Sequence, residues 1–167
     1  MGMGAVKYVE TKNKIIFLDV DGALNSGDFY IWLGDHHERK YRGYELLDQK
    51  AILCLQDIVL LTGADIVLSS SWRISRSCMK RLEEQLLPYD LKIVDRTVSM
   101  PHEDRGSEIK EWLNRHPYVT NFVILDDDDD MGDLGDHLVK TSFRSGLLPG
   151  DTTRAIRILT SDIPINR

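Results

Sequence analysis

Two aspartates two positions apart, at the end of a short apolar run, are the residues in this chain best suited to chemistry. Asp19 lies near the end of the segment 14–20, and Asp21 and Gly22 follow that segment directly. On a continuing strand the two carboxylates would point to opposite faces, but a glycine lets the backbone turn sharply so that both can reach one substrate. One carboxylate can then act as a nucleophile and the other as a general acid and base.

Two more polar clusters also follow apolar runs. Three serines, Ser69–Ser71, come after one run, and five consecutive aspartates, Asp126–Asp130, come after another. Adjacent carboxylates repel one another, and their position behind a buried strand is costly unless a cation lies there. Hard oxygen ligands of this kind suit Mg²⁺ better than a softer metal.

The elements that must position these residues alternate along the chain. Apolar runs predict strands and amphipathic runs predict helices, and the resulting sheet is mainly parallel and covered on both faces. Ligands of such sheets bind beyond the carboxyl ends of the strands, where all three polar clusters fall. The predicted strands are 14–20, 65–69, 91–95, 121–126 and a short fifth candidate at 137–141; the predicted helices are 49–62, 75–87, 106–115 and 151–160.

The polar motifs together resemble the haloacid dehalogenase (HAD) superfamily, in the same order and over nearly the whole chain. The run 17–25 (Phe-Leu-Asp-Val-Asp-Gly-Ala-Leu-Asn) resembles the first motif, 66–70 the second and 123–127 the fourth. Arg105, or else Lys110, resembles the basic third motif. The segments 69–73, 137–141 and 146–147 are also similar to a subgroup that includes phosphatase domains of bacterial nucleic-acid-repair proteins.

The resemblance implies a three-layer α/β/α Rossmann-like domain and a phosphatase mechanism. Asp19 would form an aspartyl-phosphate, and Asp21 would protonate the leaving oxygen and later activate water. Mg²⁺ would be held by Asp19, the main-chain oxygen of Asp21, and Asp126 or Asp127. An aspartate at position 21 goes with phosphate-ester hydrolysis in this superfamily, whereas dehalogenases lack it and ion-pumping ATPases carry threonine.

Phosphoryl oxygens need donors and positive charge. Ser69 is expected to donate a hydrogen bond to one oxygen, and Arg105 to neutralise another while orienting Asp19. The further predicted substrate contacts are Gly22, Ser70, Arg73 and Lys110.

The connecting segments leave no room for a cap domain, which superfamily members commonly insert. Residues 26–47 could form at most a flap, 29–44, to which Arg39, Lys40 and Arg42 lend positive charge. An open site favours a large substrate such as a polynucleotide end. A second group of cations, Arg73, Arg76, Lys80 and Arg81, lies in a stretch without acidic residues and is the best candidate for holding it.

Bulk composition fits one soluble domain, 14–167, behind an N-terminal extension, 1–13. The net charge of −6 argues against a broad basic surface for nucleic acid, and no apolar run is long enough to span a membrane. Cys54 and Cys78 form no CxxC pair, which favours inert thiols in a reducing, cytoplasmic setting. Trp32, Trp72 and Trp112 are interpreted as core or half-buried packing residues.

Each motif also has a simpler interpretation. The Asp-x-Asp-Gly sequence is a common turn, the aspartate run can be a solvated acidic loop, and the serines can cap a helix. Two other functions stay open: a nucleotide or sugar phosphatase, and a metal- or phosphate-binding module without turnover.

Overall fold

A five-stranded, all-parallel sheet forms the centre of the structure, a computed structural model that describes residues 13–36 and 46–165. In space the strands run β3-β2-β1-β4-β5, which puts β1 in the middle. The predicted α/β fold with a parallel sheet is therefore confirmed. The strands are β1 (Asn13–Leu18), β2 (Asp65–Leu68), β3 (Ile93–Arg96), β4 (Val119–Asp126) and β5 (Leu138–Lys140).

Helices cover both faces of the sheet and complete the three layers. Residues of β1 alternate between the faces: Phe17 packs with Trp112 on one side, and Leu18 lies in the apolar cluster on the other. The helices are α1 (Gly27–His36), α2 (Gln49–Thr62), α3 (Arg76–Leu86), α4 (Arg105–Arg115) and α5 (Pro149–Thr160). Residues of α2, α3 and α5 join the Leu18 cluster, and residues of α4 join the Phe17 cluster.

Helix α2 begins and ends where the sequence predicts. The Asp48 side chain accepts a hydrogen bond from the Lys50 N–H at its start, and Gly63 adopts a left-handed conformation with φ 66° at its end. Helix α5 begins two residues earlier than predicted, at Pro149, because proline fits the first turn of a helix. Strand β1 ends at Leu18 rather than at residue 20, because the chain turns there.

The segment after β1 differs from the prediction of a flap. Its first part is helix α1, which has no buried residue. Trp32 on this helix is 48% exposed and stacks on Phe29 and His36, so it is a half-buried packing residue and not part of the core. The rest of the predicted flap, with Arg39, Lys40 and Arg42, lies outside the described residues, as do residues 1–12. The described residues contain no cap domain, and none of their helices is long and apolar enough to cross a membrane.

Candidate active site

Three polar segments meet at the carboxyl edge of the sheet because β1 lies between β2 and β4. Asp19 follows β1 directly, and its N–H donates to the Leu125 carbonyl of β4 at 2.9 Å. Ser69 follows β2, and its N–H donates to the Leu18 carbonyl at 2.9 Å. Asp126 is the last residue of β4. The parallel register therefore places Asp19, Ser69 and Asp126 side by side.

Three carboxylates cluster at this edge. One oxygen from each of Asp19, Asp126 and Asp127 lies within 4.8 Å of the other two. Asp19 is 6% exposed and Asp126 is 1% exposed. Burial, reinforced by the charge of Asp126, raises the pKa of Asp19 from 3.8 to about 7. Burial likewise raises the pKa of Asp126 to about 6 and is the main cause of the raised pKa of Asp127. Without a cation, these carboxyl groups therefore resist ionisation together.

Arg105 places a positive charge beside the cluster. Its Nη2 lies 3.9 Å from Asp19 Oδ1, and its Nε lies 3.8 Å from Asp126 Oδ2. This charge lowers the pKa of both carboxyl groups but does not offset their burial. Lys110 instead donates to the Asp133 carboxylate at 2.6 Å, on the surface. Of the two cations considered for the third motif, Arg105 is the one beside the cluster.

Several buried polar atoms here lack a hydrogen-bond partner. They are the Ser69 hydroxyl oxygen, Arg105 Nη1 and Asp126 Oδ2. Buried polar groups in native proteins almost always have a hydrogen-bond partner. Three buried polar atoms without one at the same edge of the sheet are therefore typical of a ligand site. The hydroxyl and the guanidinium can donate to an anion, and the carboxylate oxygen can bind a cation. This donor set, with three carboxylates, fits a hard divalent cation such as Mg²⁺.

The backbone conformation at position 22 and the atoms around it both require a glycine there. Its φ of 84° is left-handed, and a Cβ atom there would lie 2.4 Å from Asp127 Cγ. The Thr141 hydroxyl donates to the Gly22 carbonyl at 2.6 Å, which ties the turn to the segment after β5. The glycine thus lets the turn approach the Asp127 carboxylate closely.

Asp21 lies half-buried beside this turn, and its carboxylate does not belong to the three-carboxylate cluster. Its Oδ1 accepts a hydrogen bond from Asn25 Nδ2 at 2.7 Å, and its Oδ2 accepts one from Trp72 Nε1 at 3.0 Å. Sequence reasoning missed both donors. Each stands inside a motif segment, but the Trp72 contact joins residues 51 positions apart, which no local pattern reveals.

The sequence matches the family model described as HAD domain in Swiss Army Knife RNA repair proteins over residues 15–151. The chain belongs to this family. No curated protein matches it. The matched region contains every site residue described above, from Asp19 to Thr141. The family assignment therefore agrees with the resemblance inferred from the motifs and with a HAD fold of the phosphatase-like hydrolase type.

In this HAD domain Arg73 does not present a free guanidinium to substrate, as the sequence suggested. It is 8% exposed, and its Nη2 lies 2.6 Å from Glu108 Oε2. Its Nη1 donates to the Ser70 carbonyl at 2.6 Å. The Ser70 hydroxyl, also predicted to bind substrate, accepts from the Trp72 N–H at 3.4 Å and helps to lower the pKa of Asp19. Both residues therefore shape the segment that carries Ser69.

The aspartate run divides into two parts with different environments. Only Asp126 and Asp127 join the cluster. Asp129 pairs with Lys140 at 2.6 Å on the surface, and the Asp130 carboxylate accepts the Arg105 main-chain N–H at 3.2 Å. Asp130 thus supports the start of α4, and through it the position of Arg105.

Proposed function

We propose that this HAD domain is a Mg²⁺-dependent phosphomonoesterase that works through an aspartyl-phosphate on Asp19. One observation carries the proposal: two buried carboxylates, Asp19 and Asp126, lie beside Arg105 and unpartnered polar atoms at the ligand-binding edge of a parallel sheet. Perturbed pKa values at such an edge are typical of functional sites.

The chemistry assigns one role to each side chain. A carboxylate oxygen of Asp19 attacks phosphorus, the ester O–P bond breaks, and Asp21 gives a proton to the leaving oxygen. Asp21 then takes a proton from a water molecule that attacks phosphorus, which releases phosphate and regenerates Asp19. The Ser69 hydroxyl and the Arg105 guanidinium donate to phosphoryl oxygens throughout, since both have donor capacity left within the site.

The Mg²⁺ ion would be held by the carboxylates of Asp19, Asp126 and Asp127 and by the main-chain oxygen of Asp21. When bound, it supplies positive charge that offsets the repulsion between the Asp19 carboxylate and the anionic substrate. Within residues 13–36 and 46–165, Arg105 is the only cation paired with the two buried acids, which supports the need for a second positive charge.

Metal dependence is tested with neighbouring aspartates. We expect a chelator to abolish phosphate release from a generic phosphate ester and Mg²⁺ to restore it. Asp126→Asn should raise the Mg²⁺ concentration needed for half-maximal activity, because it removes a buried ligand. Asp129→Asn makes the same charge change at an exposed position and should leave that concentration unaltered. Full activity in excess chelator would contradict the proposal.

The substrate that we propose is a polynucleotide end, and a groove beside the site supports it. The groove has a volume of about 800 Å³ and runs between α3 and the sheet-edge strand β3. It begins at Arg73, three residues after Ser70, and the exposed side chains of Arg76, Lys80 and Arg96 line it against two acids, Glu83 and Asp95. In a chain of net charge −6, the three exposed cations outnumber the two acids that line the groove, although Lys80 also pairs with Glu84 on the same helix.

A single strand entering the groove would place phosphates near these cations and bases near exposed apolar side chains. Ile74 is 69% exposed and Val94 is 56% exposed, and both line the groove. The family description, which names RNA repair proteins, supports the same class of substrate. A small phosphate ester would find little remote binding energy at this edge, where the described residues form no cap domain.

The substrate class is tested by comparing a nucleoside monophosphate with an oligonucleotide that bears the same terminal phosphate. We expect a higher kcat/KM for the oligonucleotide at low salt and a loss of that advantage at high salt. The double variant Arg76→Ala, Lys80→Ala should lower kcat/KM for the oligonucleotide alone. Arg157→Ala is the control, because Arg157 is exposed on α5, which packs on β4 and β5, toward the sheet edge opposite β3. Equal rates for both substrates would favour a nucleotide or sugar phosphatase.

A further inference from the structure

The Asp21 carboxyl group is bound at both oxygens by donors that are themselves buried. Asn25 is 0% exposed and donates to Oδ1, and Trp72 is 7% exposed and donates to Oδ2. Asn25 lies in the turn after β1, and Trp72 lies in the 3-10 turn Ser71–Ile74 after β2. Asp21 is therefore held from two neighbouring strand ends at once.

Neither donor can change its role without breaking other contacts. Asn25 Oδ1 accepts the Gly22 N–H at 3.1 Å, so its Nδ2 must be the group that faces Asp21. Trp72 has a single indole N–H and no acceptor, and its main chain is fixed by the Ser70 hydroxyl and by the Ser75 N–H. The two donors thus define one orientation of the Asp21 carboxyl plane.

This arrangement leaves the carboxyl group able to react. Each carboxylate oxygen has two lone pairs and uses one for the observed bond, so a second direction on each oxygen can meet a substrate. A half-buried aspartate without such donors would sample several rotamers. Misplacement of a catalytic group by about 1 Å can cost a factor of about 100 in rate.

We propose that Trp72 and Asn25 are positioning residues that hold the Asp21 carboxyl group in the orientation from which it exchanges a proton with the leaving oxygen. The inference rests on the proposed function, because it needs Asp21 to act as the general acid. Neither residue is expected to touch the phosphoryl group itself.

The experiment uses two substrates that differ in their need for a proton. An alkyl phosphate has a poor leaving group that must be protonated, whereas p-nitrophenyl phosphate releases a stable anion. Trp72→Phe keeps an aromatic ring and removes the indole N–H. We expect it to lower kcat/KM for the alkyl phosphate by a factor of about 10–100, and for p-nitrophenyl phosphate by much less.

Trp112→Phe is the matched control. Trp112 is 3% exposed, and its Nε1 also donates to an aspartate, Asp95 Oδ2, at 2.8 Å. Asp95 lies on edge strand β3, outside the carboxylate cluster. A loss that arises only from a smaller buried ring should appear in both variants. A positioning effect should change the ratio of kcat/KM for the alkyl phosphate to kcat/KM for p-nitrophenyl phosphate in Trp72→Phe but not in Trp112→Phe.

A double-variant cycle tests whether Trp72 acts through Asp21. In an Asp21→Asn background, Trp72→Phe should cause no further change in the ratio of the two kcat/KM values, because the carboxyl group that Trp72 positions is already lost. Asn25→Leu keeps the side-chain volume and removes the donor to Asp21 without adding a charge, and the Gly22 N–H retains the Asn25 main-chain oxygen as an acceptor at 3.2 Å. It should show the same selective loss even when Trp72→Phe fails to fold.

The outcomes separate the two claims. If the unaltered chain hydrolyses neither substrate, and releases no phosphate from the phosphorylated oligonucleotide either, the proposed function is defeated, and this inference with it. Hydrolysis of both, with equal losses on the two substrates or with no loss in Trp72→Phe and Asn25→Leu, overturns the positioning role alone.

Discussion

Two buried charge clusters lie within a few residues of each other in this HAD domain, and they are built differently. In the first, Arg73 and Glu108 are both less than 10% exposed, and their side chains meet at 2.6 Å. Glu108 Oε1 also accepts the Met100 N–H at 2.9 Å. In the second, Arg105 stands 3.8–3.9 Å from Asp126 and Asp19.

The first cluster has the features of a structural ion pair, whereas the second has features that are typical of a ligand site. The Arg73–Glu108 pair joins the segment after β2 to helix α4, and main-chain groups bond to both side chains, although Arg73 Nε is left without a hydrogen-bond partner. The carboxylate cluster has more acid than base, carries raised pKa values and keeps unpartnered atoms. Such a cluster is costly to maintain without a ligand, and perturbed pKa values of this kind are more frequent at functional sites than elsewhere.

The largest expected effect is the loss of activity in Asp19→Asn. If Asp19 carries the phosphoryl group, kcat for a generic phosphate ester should fall by a factor of at least about 1,000. Circular dichroism and denaturant unfolding should show an intact fold, since the amide is nearly isosteric with the carboxyl group. If Asp19→Asn retains most of the kcat of the unaltered chain, Asp19 is not the nucleophile.

The two candidate cations of the third motif should behave very differently. Arg105→Ala removes the cation beside Asp19 and Asp126, so kcat should fall by a factor of about 100–1,000. Lys110→Ala breaks only the surface pair with Asp133, and kcat should stay the same. Steady-state kinetics decide the matter, and a larger loss in Lys110→Ala would reverse the assignment.

Breaking the first cluster should cost stability. Glu108→Gln leaves the Arg73 charge buried without a counter-charge, and the free energy of unfolding should fall by about 3–5 kcal/mol. Glu84→Gln interrupts the exposed Lys80–Glu84 pair and should cost less than about 1 kcal/mol. Urea unfolding measures both, and equal losses would show that the buried pair is not structural.

The second cluster should make the metal-free protein less stable as pH rises. The folded pKa of Asp19, about 7, exceeds its ordinary 3.8, so the folded state binds more protons between these values. The free energy of unfolding should therefore decrease from about pH 4 to pH 7, on the order of a few kcal/mol in total. Asp19→Asn should flatten this dependence in chelator. A stability that rises across the same window would contradict the burial of these charges.

Local signals in the sequence were enough for much of the fold. The ends of α2 were predictable because Asp48 and Gly63 act within one turn of the helix. Helix α1 was missed because it buries no residue and so shows no apolar periodicity, although Ser26 accepts the Phe29 N–H at its start.

The positions of the candidate site residues at strand ends were predictable from the sequence. The contacts that they make with residues distant in sequence were not. Apolar runs that end in Asp19 and Asp126 place both residues at one edge without any tertiary knowledge. The environment of Arg73 depends on Glu108, 35 positions away, and that of Asp21 depends on Trp72. A basic residue after the second motif looks the same in sequence whether it faces substrate or a buried acid.

The most direct test of the central claim is to trap the intermediate. The protein would be mixed with a phosphate ester and Mg²⁺, quenched rapidly and reduced with borohydride, which converts an aspartyl-phosphate into homoserine. The account predicts homoserine at position 19 by peptide mass spectrometry, dependent on both substrate and Mg²⁺. Turnover that leaves Asp19 unmodified, or homoserine at another aspartate, would contradict it.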